Sequence, residues 1–425
     1  MSFKKVLQYL TVVMIFLAGS KVLTVYSQQM DSQKDWIRAG FAKVKITPEV
    51  PIRMAGYGAR TEVFKGVHDD IFACAAVFDN GRNKACIITA DVIGFSHEFC
   101  DETKVLIQDS TGIPEDWIFI TAVHNHGGPR TRASRGESAT EEYAYLNFLQ
   151  HRLVQAVKEA AQQTVPVRIG VGVGACRMNI NRRARHVEGG VWLGRNPEGP
   201  CDHNVTVLRV DDLSSNLLGA LVNWPCHAVV GGQDNYMITG DWPGAAARTL
   251  EEMHENSVFM MSAGASADIN PVYGPNTRFN DIEVTGKILA EEVNRVMEDI
   301  KTYPANDINL INISRVVPGK KISTRFPNAA LEEGPEVEIR MSSLMIGQVV
   351  FSGVSGELMT EIGMAIKNDS PFKHTFILTH CNGNSGYLCT DKAYEEGGYE
   401  PMVSRTMPGT AAIIRETFRD INNRL

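Results

Sequence analysis

Apolar runs recur along this chain at a length that suits strands, and they constrain the fold more than any other feature. They are Phe72–Phe78, Ala85–Val92, Trp117–Val123, Val167–Val173, Asn204–Val210, Leu217–Asn223, Leu344–Phe351 and Thr375–Thr379. Several are continuously apolar, the pattern of strands covered on both faces. Segments with helical periodicity lie between them. In Glu141–Gln163, residues Leu146, Leu149, Leu153, Val157 and Ala160 repeat at three and four, which makes one face apolar. Asp281–Ile300 carries Val284, Ile288, Val293, Val296 and Ile300 along one side, and Glu357–Lys367 predicts a shorter helix. Strands alternating with helices predict an α/β class with mixed β-sheets flanked by helices. No linker, repeat or low-complexity tract interrupts the chain after residue 28, so 28–425 reads as one large domain. The stretches Arg130–Glu141, Asn181–Pro200 and Gly231–Asp241 read as loops longer than ordinary connections, which marks them as candidates for function.

The N-terminus has a separate character. Lys4 and Lys5 precede the apolar run Tyr9–Ala18, and Val25-Tyr26-Ser27 offers a cleavage site. Residues 1–27 therefore read as a signal peptide, with export to the periplasm or outside as the expectation. The apolar core is shorter than the ~20 residues of a spanning helix. None of the eight cysteines forms a CxxC pair, so a thiolate metal cluster is not indicated. An oxidising compartment permits disulfides, and Cys381 and Cys389 are near enough in sequence to pair. The net charge of -7 argues against a nucleic-acid partner, which calls for a basic surface.

Candidate chemistry gathers where apolar runs end. Trp117–Val123 leads into His124-Asn125-His126-Gly127-Gly128. Residues two apart on a strand share a face, so His124 and His126 project together into a glycine-rich loop. Neutral imidazole is a common zinc ligand. The spacing also fits two histidines satisfied by backbone hydrogen bonds. His227 follows the run ending at Trp224 in the same context.

Further candidates lie downstream. Arg182, in Asn179-Ile180-Asn181-Arg182, is a fixed cation able to polarise a carbonyl, or an ordinary surface arginine. Asp241 could orient a ligating histidine or cap a helix. Ser266 sits among small residues, yet the surrounding sequence is not G-x-S-x-G. Glu357 follows Gly356 at the start of the predicted helix, where a carboxylate also suits the helix dipole. Tyr387 and Tyr399 lie in a glycine-rich stretch, where a hydroxyl can serve as a donor or a ring can simply pack.

Taken in order, these segments resemble the catalytic domain of neutral/alkaline ceramidases. The resemblance runs over residues 38–400, from Ala39–Pro48 and Met54-Ala55-Gly56-Tyr57 through His68, Asp91, His124/His126, Arg182, His227 and Asp241 to Glu357, Tyr387 and Tyr399. It implies one zinc ion held by His124, His227, Glu357 and Tyr387. It also implies that His126, Arg182 and Tyr399 surround the scissile amide, with His68 and Asp91 as supporting structure. The expected substrate is an amphiphilic, ceramide-like lipid, a class compatible with peripheral membrane contact. Zinc makes hydroxide available near neutral pH. Hydroxide attacks the amide carbonyl, Tyr399 stabilises the oxyanion and His126 protonates the leaving amine. An acyl-enzyme route through Ser266 is the alternative mechanism. An N-acyl amino sugar is the alternative substrate, and a non-catalytic binding protein the alternative class.

Overall fold

A computed structural model describes residues 36–132, 139–322 and 331–425. The signal-peptide reading of residues 1–27 and the middle of the 130–141 loop lie outside them.

The larger of two main sheets has nine strands. Its order is Val258–Ala263, Leu217–Trp224, Asn204–Asp212, Val165–Ala175, Arg38–Lys45, Phe72–Asp79, Lys84–Ala90 and Ile118–Ala122, with Tyr303–Pro304 added beside Val165–Ala175. Most pairs are antiparallel, but Leu217–Trp224/Val258–Ala263 and Lys84–Ala90/Ile118–Ala122 are parallel. The second sheet orders Ile308–Lys320, Glu333–Ile346, Val349–Val354 and His374–Leu378, the last two parallel.

The two sheets pack face to face between outer helices. The side-chain period of a strand explains how one short sequence serves two cores. In Phe72–Asp79, residues Ala73, Ala75 and Val77 enter the core under the helices His97–Thr111 and Ala139–Gln162. Cys74, Ala76 and Phe78 enter the opposite core, where Phe41, Phe78 and Phe119 meet Leu344, Phe351 and Phe376 of the second sheet. A third core lies under the helices Asp241–Met253 and Phe279–Asp299. A fourth joins the second sheet to Thr360–Asp369 and Thr410–Arg424. The layers run helix, sheet, sheet, helix, an α/β fold with mixed sheets as the periodicity predicts. Local signals set the helix limits. Ser96 Oγ accepts from Phe99 N–H at 3.2 Å at the start of one helix, and Gly112, with φ 71°, ends it.

Three local expectations change. Asn181–Pro200 is not an open loop: Asn179–Arg185 and Val191–Asn196 pair as an antiparallel hairpin. Met237–Ile238, inside the expected loop Gly231–Asp241, pairs with Gly66–Val67. Glu357 does not start a helix. Glu357–Leu358 pairs in parallel with Tyr387–Leu388, and the helix begins at Thr360. The cysteines are all free thiols, so Cys381 and Cys389 are not joined. Among the described residues no helix is long and apolar enough to cross a membrane.

Candidate active site and metal centre

Strand ends build the site. The edge strands Ile118–Ala122 and Val258–Ala263 lie at opposite ends of the large sheet, yet the sheet curls until they come near each other. The end of His374–Leu378 fills the space between. Thr121 Oγ1 donates to the Thr379 carbonyl at 2.7 Å, Thr379 Oγ1 donates to Gly264 O at 3.1 Å, and Asn223 Nδ2 donates to Ile377 O at 2.9 Å. His124 follows Ile118–Ala122, His380 follows His374–Leu378, and His227 follows Leu217–Trp224, the parallel neighbour of Val258–Ala263, while Glu357 follows Val349–Val354.

These side chains converge. His124 Nε2 lies 3.3 Å from His126 Nε2 and 3.3 Å from Glu357 Oε2, and His227 Nε2 lies 3.4 Å from the same oxygen. Bonds of ~2.0–2.1 Å from a metal such as zinc to nitrogen or oxygen imply tetrahedral edges of about 3.3–3.4 Å, so the observed spacings match a tetrahedral metal cage. The tautomers agree. His124 Nδ1 donates to the Ile93 carbonyl at 2.8 Å, and His227 Nδ1 donates to the Ser266 carbonyl at 2.7 Å. Each Nε2 is then left as a lone pair facing inward, the usual state of a metal-bound histidine. Glu357 Oε2 is buried with no hydrogen-bond partner. A buried carboxylate oxygen without a donor is costly unless a cation meets it. His124, His126 and His227 form one three-donor group, and His124, Glu357 and His380 another. Tyr387 stands directly beside Glu357 in the short parallel pair, and its hydroxyl accepts from Arg182 Nη2 at 3.2 Å.

Arg182 is buried, not on the surface. Its Nε donates to Glu400 Oε1 at 2.8 Å and its Nη1 lies 3.4 Å from His227 Nε2. Arg183 Nη1 donates to the other Glu400 oxygen, also at 2.8 Å. Tyr399 stacks edge-on to Tyr387 with centroids 5.8 Å apart. Burial pushes both tyrosine hydroxyls above the usual phenol range. Burial holds His126 and His227 well below the usual imidazole range, and the neighbouring histidines and Arg182 push the same way. Both are therefore neutral near pH 7. A cavity of about 470 Å³ opens onto Tyr57, His126, Arg182, Leu193, Tyr387 and Tyr399. Gly56, with φ 94°, lets the chain pass against His126, since a Cβ there would lie 2.3 Å from its Nδ1.

The remaining candidates stand outside this cluster. Asp241 does not touch a histidine. It is buried at the start of its helix and accepts from the N–H groups of Val230, Gly231 and Trp242 at 2.7–3.2 Å. Trp242 Nε1 supports His227 instead, donating to its carbonyl at 2.9 Å. Ser266 contributes its main-chain carbonyl to His227. His68 stacks on Phe279, and Asp91 accepts from Phe72 N–H at 2.8 Å. Two residues were missed in the sequence. Glu400 fixes Arg182, and His380 stacks on His124 with centroids 4.0 Å apart. The context of His380 after an apolar strand, shared with His124 and His227, was a signal for it. Glu400 had none.

Comparison with known proteins identifies a family and a fold. Residues 38–272 match the family described as "Neutral/alkaline non-lysosomal ceramidase, N-terminal". Neutral ceramidase B of Dictyostelium discoideum is 24% identical over 395 residues, covering 84% of this chain and 53% of that protein. Neutral ceramidase of Drosophila melanogaster is 28% identical over 234 residues, covering 51% of this chain and 32% of that one. The chain thus spans about half the length of the Dictyostelium relative. The crystal structure of neutral ceramidase from Pseudomonas aeruginosa superposes with a TM-score of 0.77 at 18% identity, covering 92% of this chain and 75% of that one.

Proposed function

Because this chain belongs to the neutral/alkaline non-lysosomal ceramidase family, we propose that it is a zinc-dependent amidohydrolase that cleaves the N-acyl amide of ceramide-like sphingolipids. The products are a fatty acid and a sphingoid base. The observation that carries this reading is the convergence of His124, His227 and Glu357 at tetrahedral spacing beside Tyr387, which lines the cavity. These four residues would hold the zinc. When bound there, zinc supplies Lewis acidity for the amide carbonyl and makes water acidic enough to attack near pH 7.

The chain's own residues supply the rest. His126 is neutral and faces the cavity, so it can take a proton from the attacking water. Handing that proton to the amide nitrogen lets the C–N bond break with an amine as leaving group. Tyr399 lines the same cavity with its phenol protonated, an O–H donor for the developing oxyanion. Arg182 holds Tyr387 through its Nη2 and keeps positive charge beside the reacting carbonyl. Ser266 acts through its carbonyl, as the anchor of His227. Ser266→Ala should therefore cost less than about tenfold in kcat/KM, against the roughly 10⁴-fold or greater loss when a serine nucleophile is removed. A loss of the larger size in a folded, zinc-loaded variant would return the mechanism to an acyl-enzyme.

The test of function is hydrolysis of a fluorescent N-acyl sphingosine by residues 28–425, with zinc counted on the same sample. Chelator-sensitive release of fatty acid, with about one tightly held zinc per chain, is the expected result. Zinc without release would move the search to other amides. Asn270, Arg195 and three tyrosines around the cavity make an N-acyl amino sugar the second reading. The charged n-region and short apolar run of residues 1–27 support export and removal of that segment. A lipid substrate supports peripheral contact with a membrane.

A further inference from the structure

His380 is a buried histidine with no part in the chemistry above. It is 2% exposed and follows its strand as His124 and His227 follow theirs. Its φ of 53° lies in the left-handed region, a costly conformation for a residue with a Cβ. Three main-chain bonds hold it there. His380 N–H donates to Gly356 O at 3.1 Å, Cys381 N–H to Val354 O at 2.9 Å, and Asn382 N–H to Ile120 O at 2.8 Å. Strain maintained by the surroundings in this way gathers at functional sites. His124 and His227 each commit Nδ1 to a carbonyl, but His380 Nδ1 is buried with no hydrogen-bond partner. One donor atom from each of His124, Glu357 and His380 lies within 4.8 Å of the others.

The ring geometry separates two roles for such a donor. The His124 and His380 rings are nearly parallel, 11° apart, with centroids 4.0 Å apart. A metal–imidazole bond lies close to the ring plane. Lone pairs in two stacked planes do not meet at one ion with bonds of ~2.0–2.1 Å. Each points to a position of its own, and the ring spacing matches the ~3.5–4 Å between the ions of two-metal hydrolytic sites. Glu357 can serve both positions. Its Oε2 faces His124 and His227, and the carboxylate has a second oxygen.

Resting on the reading of this centre as a metal site, we propose that it holds a second divalent metal ion beside the first, bridged by Glu357 and ligated by His380. The second position has two protein ligands where the first has four, so it binds more weakly and fills when metal is in excess.

The full chain is dialysed to equilibrium against excess zinc and its metal content measured beside His380→Phe, which keeps a ring in the stack but has no donor nitrogen. His380→Gln is a smaller alternative, and circular dichroism with thermal melting checks both folds. Two zinc ions in the natural chain and one in the variants is the expected result. One zinc in all three proteins overturns the second position and leaves the first intact, as two in all three also overturns it by placing the extra ion elsewhere. No zinc in the natural chain overturns the metal reading itself. Titration of the natural chain with Co²⁺ needs no variant: two absorbance breaks are expected, and a single break at one equivalent overturns the proposal.

Discussion

His124→Ala should leave the purified protein almost without zinc and reduce kcat/KM by about 10³-fold or more, since a catalytic metal supplies several kcal/mol of transition-state stabilisation. His124 is the hub of the donor cluster. Its Nε2 stands 3.3 Å from both His126 Nε2 and Glu357 Oε2, and its ring covers His380. Removing it leaves Glu357 Oε2, already without a hydrogen-bond donor, facing a void. The backbone complicates this variant, because His124 has φ 58° and alanine has no side-chain hydrogen bond to favour that conformation. His227→Ala is the companion, since its Nε2 lies 3.4 Å from the same Glu357 oxygen without a left-handed backbone. Both variants should lose metal and activity together, measured by elemental analysis and amide hydrolysis on one preparation. Full zinc content in both would show that these histidines are structural.

The histidines were legible in the sequence because each closes an apolar strand, and strand ends are where α/β sheets display ligands. What brings them together was not legible. His124 and His227 follow strands in different parts of a nine-stranded sheet, and only the curl of that sheet and the inserted end of His374–Leu378 place them side by side. Curvature of this kind is a property of the whole sheet and leaves no mark in any one window of residues. Glu357 shows a related limit. An apolar-periodic stretch after Gly356 reads as a helix from its first residue, whereas a two-residue pairing with Tyr387 delays the helix to Thr360. That pairing is what sets the carboxylate beside the phenol. The Asn181–Pro200 stretch read as a loop because its glycines and charges mask a hairpin whose outer strand, Val191–Asn196, is largely exposed. Asp241 had the right neighbours for a histidine-orienting residue, but the site uses main-chain carbonyls for that purpose. Carbonyls are present at every residue and so cannot be read from side-chain identity.

Glu400→Ala should lower stability by about 3–5 kcal/mol, the cost of removing one partner from a buried ion pair, and should also sharply reduce activity. Glu400 is 1% exposed and each of its oxygens meets a different guanidinium, Arg182 Nε and Arg183 Nη1, both at 2.8 Å. Without it two adjacent buried cations face each other across a cavity. The two arginines differ in what remains to them. Arg183 keeps Glu396 at 3.3 Å and the Gly397 carbonyl at 2.9 Å. Arg182 keeps only neutral partners near the site, Asn270 Oδ1 at 3.3 Å, the Tyr387 hydroxyl at 3.2 Å and His227 Nε2 at 3.4 Å. The catalytic consequence therefore falls on Arg182, whose Nη2 positions Tyr387. Arg183→Met separates the two effects. It removes one cation and leaves the Arg182–Glu400 pair intact, so it should cost stability while retaining far more activity than Glu400→Ala. Thermal melting read against kcat and KM for the two variants measures this difference. Equal losses of activity in both, at equal stability, would mean that Glu400 serves the fold and not the orientation of Arg182.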